Sequence, residues 1–482
     1  MNYEQDLEKV GRSLFPYYLV ILFIAPIPFG SNRPWAWSFL AICALTLLSI
    51  YLWNYARKNL RPPELTIDIK IVFILLFSWL IYQILQLVPI PVEHLALLSS
   101  KTMELKSHSV NSAILSAYPL SFDLSASLHY IYKTVFYICI FMLTIFLVQS
   151  RDRLRLLILT FVFIGVVQAV LGLSFTFIQK IELAVGEPQD VLNVVKGTFI
   201  NRNHFGSFIN LCIASAIALL LASGLKEKRK IHRSNVDHHW QSRALDWRIY
   251  LIPYLGIMLL ALFLSESRGA IISCAAMFMV LFGCLMLMKI GVDEIYNSFK
   301  FPLWLICFVI IFSGADVISD RLVMLSEDMA LRMDHWSSSY RIFEDFKLFG
   351  IGSGSFQYVY PYYDTGFDKY RLLHAHNDYL ELLAEQGIVG FTLLGLIVLI
   401  CIKNAIKAIR RFVNLQQSAY AISSLIAICG FLIHSTMDFS FHIPSNAVYF
   451  FVFLAVALLQ GMDSTHFEKR EASWDEEVFE SH

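Results

Sequence analysis

The sequence predicts an all-α polytopic membrane protein with about 12 transmembrane helices and a large, partly helical loop between spans nine and ten. Composition is the first reason. Hydrophobic residues make up 57 % of the 482 positions and charged residues only 16 %, against roughly 45–50 % and 25 % in soluble globular chains. Mean hydropathy is +0.59, which excludes a soluble multidomain enzyme. The second reason is that apolar runs at or near the ~20 residues needed to cross ~30 Å of hydrocarbon recur along the chain. The third is that basic residues collect in alternate connections.

In chain order the expected spans are 14–30, 35–53, 71–88, 128–149, 156–178, 205–223, 249–265, 270–288, 301–313, 388–402, 419–437 and 445–461. The run 205–223 is the weakest, because it opens with polar residues. The first run follows Glu4, Asp6 and Glu8 and leads into further spans, so it reads as a span and not as a cleaved leader. With the N-terminus inside, the segments 1–13, 54–70, 150–155, 224–248, 289–300 and 403–411 carry 22 of the 38 lysines and arginines. Positive loops resist translocation, so both termini are expected on the cytoplasmic side. Residues 1–462 read as one transmembrane domain. The tail 463–482, with seven acids against two bases, reads as a disordered cytoplasmic end.

The remaining composition excludes other classes. Lys plus Arg equals Asp plus Glu at 38 each, so no excess of positive charge points to nucleic acid. All eight cysteines lie in apolar runs, with neither metal-ribbon nor disulfide spacing. The outer loop 314–387 has its own pattern. Ser337–Ser339 precede a helix-like period through Tyr340, Ile342, Phe343 and Phe346; Gly350, Gly352 and Gly354 then break it. That Gly-x-Gly-x-Gly run fits neither a phosphate-binding P-loop nor a dinucleotide fingerprint, and reads as a sharp turn.

Under this topology, unusual polar residues from five segments fall on one membrane face. They are Asn201-Arg202-Asn203-His204, Ser265-Glu266-Ser267-Arg268, Arg341, His374-Ala375-His376-Asn377-Asp378, and His434 with Asp438 and His442. Each has a plain reading beside a chemical one. A lone interfacial arginine is often an anchor snorkelling to head groups, yet Arg268 sits in a turn with almost no length. Arg202 is flanked by two asparagines and His204, donors and acceptors that an anchor does not require. His374 and His376 with Asp378 can be read as metal ligands, as caps of a helix start, or as reactive imidazoles, and the spacing gives no sharp ligand set. His434, Asp438 and His442 would share a helix face if the helix continued.

These residues carry a resemblance. His376-Asn377, nine residues, then Gly387-Ile388-Val389-Gly390 resembles the motif of the O-antigen ligase and polymerase superfamily. The stretches Gly197–Gly206, Ser267–Ala270, Gly350–Phe356 and His434–Pro444 resemble the same superfamily in the same order. The resemblance implies a glycan donor linked through diphosphate to a polyprenol (undecaprenyl) carrier, and an acceptor hydroxyl on another glycan or on lipid A core. It implies a bacterial inner membrane with the site facing the periplasm, polysaccharide-assembly proteins as partners, no nucleotide sugar, no metal and no cofactor. By that resemblance His376 matches the catalytic histidine, and Arg202 and Arg268 match the diphosphate-contacting arginines. Asn203, His204, Arg341, His374, Asn377 and Asp438 are secondary candidates.

The expected activity is therefore glycan transfer by a ligase-like membrane glycosyltransferase, by inversion and without a metal. A polymerase extending a lipid-linked repeat needs the same three side chains and is the nearest alternative, followed by a protein O-oligosaccharyltransferase. A transporter or flippase is the alternative from another class, but transporters place ionisable residues near mid-membrane. Here the charges cluster at one rim.

Overall fold

The computed structural model describes residues 3–57, 65–109, 116–185, 194–223, 248–290, 331–364, 372–411 and 415–462. It is an all-α polytopic membrane fold. Among the described residues nine helices are long and apolar enough to cross a membrane, joined by a shorter apolar helix at Tyr250–Leu264. Each expected span outside 301–313 overlaps a described helix. The expected span 301–313 and the tail 463–482 lie outside the described residues, as do 314–330 and 365–371 of the outer loop. A two-stranded antiparallel ladder, Ile90–Pro91 with Ala117–Tyr118, accompanies the helices.

Burial separates helices that face protein from helices that face lipid. Across its most apolar window the helix Pro444–Gly461 is 100 % buried, and Arg202–Ala222 is 89 % buried; these two form the centre of the bundle. Ile67–Leu85, by contrast, is only 33 % buried and presents Ile71, Ile74, Phe77 and Ile81 outward, as a lipid-contacting helix should. The polar residues that weakened 205–223 as a span are thereby accounted for. Asn210 donates to the Ala270 carbonyl at 2.8 Å and to Ser273 Oγ at 2.6 Å, and Ser423 Oγ donates to the Ala214 carbonyl at 2.8 Å. Small and polar residues join helices where lipid does not reach.

The described part of the outer loop carries a helical stretch at 331–345 and a short helix at Phe356–Val359. Ile342, Phe346, Ile351, Phe356, Val359 and Tyr360 bury against Ala375 and Ala384 in a small core of their own. The glycine run between the helices is the sharp turn that the sequence predicts: Gly350, Gly352 and Gly354 all have positive φ.

The turn fits because the neighbouring helix is bent. Asp378–Arg411 is two helical pieces meeting at Gly387, whose φ of 59° and ψ of −166° are open essentially to glycine alone. A bend orphans backbone groups, and inside an apolar bundle each must find a partner. Here the glycine turn supplies them. The Ile388 and Val389 amides donate to the Lys347 and Leu348 carbonyls, while Ile351 and Gly352 donate to the Ala384 and Glu385 carbonyls. Side chains from Ile67–Leu85 and its C-terminal cap close the crossing: Gln86 Nε2 donates to the carbonyls of Phe349 and Glu385, and the Tyr82 hydroxyl reaches Gln386. The backbones approach so closely that a Cβ on Gly387 would collide with the Leu348 carbonyl, and one on Gly350 with Glu385.

Gly387→Ala should therefore destabilise the protein by more than about 2 kcal/mol, combining forbidden backbone geometry with a backbone collision. Thermal unfolding of the detergent-solubilised protein checks this; an unchanged midpoint would mean that the crossing relaxes freely.

Candidate active site

Five helix ends meet at one end of the bundle, and each delivers a polar residue for an identifiable reason. The helix Arg202–Ala222 starts at Asn201, whose side chain accepts the Asn203 amide at 2.8 Å. The helix Arg268–Leu287 starts at Ser267, whose hydroxyl caps the Ala270 amide. Arg202 and Arg268 thus both occupy the first position of a capped helix. The two starts are locked together: Ser267 Oγ donates to Asn203 Oδ1 at 2.8 Å, and Gly206 lies so close to Ala270 that a Cβ there would collide with it. Arg202 Nη1 lies 3.6 Å from Glu266 Oε2, both about one-third exposed. Two helix N-termini, each beginning with an arginine, are therefore adjacent, and helix N-termini and guanidiniums favour an anion, with Glu266 as the carboxylate that Arg202 meets in this structure.

Next to them, reached through His204 on the same helix start as Arg202, is a histidine–aspartate arrangement. His376 Nδ1 is 3.3 Å from Asp438 Oδ1, with the His376 ring 31 % exposed and the carboxylate 2 % exposed. The other carboxylate oxygen of Asp438 lies 3.8 Å from His204 Nε2, itself buried. Burial acts to raise the Asp438 pKa, but the His376 hydrogen bond and the neighbouring His204 and His434 outweigh it and hold it well below the usual carboxylate range. Asp438 is therefore an anion. An anionic acceptor at Nδ1 keeps the proton there and leaves Nε2 of His376 as a lone pair. Phe439 packs among the three imidazoles, with ring centroids 4.6 Å from His204, 4.3 Å from His374 and 4.9 Å from His376.

A second network lies beside the first. Glu381, almost fully buried, accepts His374 Nδ1 at 2.7 Å on one oxygen and the Ala375 amide at 2.8 Å on the other. His442 bridges Asp378, 3.2 Å from its Nδ1, and Glu381, 3.2 Å from its Nε2. Burial would lower the His442 pKa, yet the charges of Glu381 and Asp378 win and raise it to about 9. Burial lowers the His374 pKa against the pull of Glu381. Among the described residues His374, Glu381 and His442 are the group able to hold a metal ion, their donor atoms all within 4.8 Å of one another. That trio is not the His374, His376 and Asp378 set that the spacing suggests. His376 and Asp378 each turn to a different partner.

Residues 253–395 match the O-antigen ligase family model. The match covers less than a third of the chain and supports the resemblance to the O-antigen ligase superfamily. The matched segment contains Arg268, Arg341, His374 and His376, whereas Arg202, His204 and Asp438 lie outside it. No curated protein matches the chain. The match supports a membrane enzyme of the glycan ligase and polymerase type.

The structure brings Arg202, Asn203 and Ser267 together at two joined helix starts, and gathers His204, His374, His376 and Asp438 around Phe439. It also separates roles that the sequence left mixed. Asn377 is the cap of the bent helix, its Oδ1 accepting the amides of Tyr379 and Leu380. Arg341 lies on the helical stretch 331–345, where its Nη2 donates to Ser338 Oγ at 3.4 Å. The helix does not continue through His434, Asp438 and His442: it stops at His434, and His442 belongs to a separate 3-10 turn, Ser440–His442, so the three share no helix face. His434 bonds Ser440 instead, at 2.8 Å. Glu381, Glu385 and Phe439 were missed by sequence reasoning. The available signal was Asp378, Glu381 and Glu385 at i, i+3 and i+7, an acidic stripe at the start of an otherwise apolar segment.

His442 sets a pH dependence. Its folded pKa of about 9 lies above its ordinary 6.5, so the stability it confers is fully present below about pH 6.5 and is lost as pH rises through about 9. The thermal midpoint should fall more steeply between about pH 7 and pH 10 in the native protein than in His442→Gln; parallel curves would dissociate His442 from that loss.

Proposed function

We propose that the protein transfers a glycan from a polyprenyl diphosphate carrier to an acceptor hydroxyl at the periplasmic face of the bacterial inner membrane. The observation that carries this reading is the pairing of two capped helix starts, each with an arginine at its first position, linked through His204 to a buried carboxylate that holds Nδ1 of His376.

The chemistry follows from charge. When the anomeric carbon leaves its diphosphate, negative charge builds on the departing oxygens. Arg202 and Arg268, with the helix starts behind them, meet that charge in a fixed, partly desolvated setting and need no reorganisation. Asn203 and Glu266 hold the arginine side of the mouth in place. His376 Nε2 receives the proton of the acceptor hydroxyl as its oxygen bonds the anomeric carbon. The diphosphate leaves on its polyprenol, the configuration inverts, and Asp438 stabilises the imidazolium that results. His204 braces the far oxygen of Asp438. His374 and Asn377 fix the backbone on either side of His376, and the loop bearing Arg341 covers the mouth against water.

Positive charge for the diphosphate comes here from guanidiniums, so transfer should persist in EDTA. The His-Asn motif and its nine-residue gap favour attachment of a finished glycan to a lipid A core or another glycan over stepwise extension of a lipid-linked repeat. Which acceptor is consumed separates the two, and polysaccharide-assembly proteins are the partners expected around either.

In an assay with purified protein, lipid-linked donor and acceptor, Arg268→Ala and Arg202→Ala should each lower the transfer rate about 10²–10³-fold. His376→Ala should lower it about 10²–10⁴-fold. Thermal midpoints should stay near the native value. Full activity in any one variant removes that residue from the mechanism.

A further inference from the structure

His376 carries a conformational cost that its surroundings must meet. Its φ of 51° puts a non-glycine residue in the left-handed region, a strained conformation that persists only where neighbouring structure over-determines it. The residues after His376 are fixed by the Asn377 cap and by the Asp378 amide, which donates to the Ser435 carbonyl at 2.9 Å. The residues before it pack against Phe439 and the small loop core, but their hydrogen bonds come from a single side chain. Glu381 takes the His374 ring on one carboxylate oxygen and the Ala375 amide on the other.

Glu381 is 1 % exposed, so it meets neither donor nor acceptor and can act only through what it holds. It is itself pinned from behind by His442, which also grips Asp378. The 3-10 turn after Asp438 is thereby tied to the helix start that follows His376. Both ends of the His376–Asp438 contact thus hang on the same buried clamp.

We propose that Glu381 is a positioning residue for transfer: its carboxylate, seated against His442, holds His374 and Ala375 so that His376 keeps its left-handed backbone and its hydrogen bond to Asp438. This rests on the reading of His376 as the group that faces the acceptor. A carboxylate is required because each oxygen accepts a separate donor. The isosteric amide offers one accepting oxygen: its NH₂ faces either the Ala375 amide or the position where His374 Nδ1 and His442 Nε2 both approach, so the Ala375 or the His442 contact is lost.

Two readouts test this on full-length protein in detergent. The first is the rate at which diethyl pyrocarbonate modifies His376, followed by mass spectrometry with the exposed His94 as internal reference. Glu381→Gln should speed modification of His376 at least threefold and leave His94 unchanged. The second is transfer kinetics. Glu381→Gln should lower kcat about 10–100-fold with little change in donor KM, and adding it to His376→Ala should cost less than twofold more.

Unchanged His376 reactivity, kcat within twofold of native, or a full additive loss in the His376→Ala background each overturns the proposal. Full activity of His376→Ala alone would instead defeat the proposed mechanism, while the reactivity readout would still report whether Glu381 holds the loop. Stoichiometric zinc in the purified protein, lost in Glu381→Gln, would show that His374, Glu381 and His442 form a metal site and would overturn a clamp held by hydrogen bonds. Should Glu381→Gln not yield folded protein, His374→Ala removes one contact at a partly exposed ring and is expected to shift both readouts in the same direction.

Discussion

A carboxylate buried among apolar helices is stable as an anion only if donors and cations converge on it. Asp438 is such a group, and much of the mouth is arranged around it. It draws His376 from the start of one helix and His204 from the start of another, and it faces His434 at the end of a third. Three sequence segments more than fifty residues apart are held together in this way. The same constraint operates next to it, where Asp378 and Glu381 are buried beside His442. Two carboxylate-centred networks share Phe439 and His374 at their boundary, so the loop 374–377 is fastened from both sides.

Most of the fold was legible in the sequence because a bilayer imposes a simple rule: long apolar segments become helices, and their ends gather charge. The rule also explained its own weakest case. The run 205–223 reads poorly as a lipid-facing span because it is not one; Ser207 is buried and Asn210 bonds to the helix Arg268–Leu287. The bend at Gly387 was half legible. A helix signal from His376 and a span from 388 were both readable, and the single residue between them is the break. Hydropathy carries no signal for the crossing of two backbones, which depends on where the carbonyls of Lys347 and Leu348 lie.

The site was legible as a set of residues and not as a set of pairs. Arginines and histidines at span ends are conspicuous in a chain with so few charges. Their partners are fixed by three-dimensional accidents of helix termination: His434 ends its helix, so Asp438 and His442, which helical spacing would stack, point into different networks. Glu381 escaped notice because a carboxylate one turn into a span looks like an ordinary first-turn acid, favourable at a helix start. Its burial against two histidines and an amide appears only once the 3-10 turn Ser440–His442 is folded over it.

The distribution of charge also bears on the kind of work the bundle can do. The mouth holds the arginines, imidazoles and carboxylates. The far end holds another set, with Lys403 on Asp68 and Arg411 on the carbonyls that end the helix Pro444–Gly461. Between them that central helix, 100 % buried across its window, packs Tyr449, Phe450, Phe451 and Phe453 against neighbours. A path for a charged head group through the bilayer would need polar footholds at intermediate depth, and the filled aromatic centre offers none along this helix. Chemistry at one rim is what such a bundle supports: the apolar interior provides rigidity, and the polar groups of the candidate site are concentrated at one end of the helices.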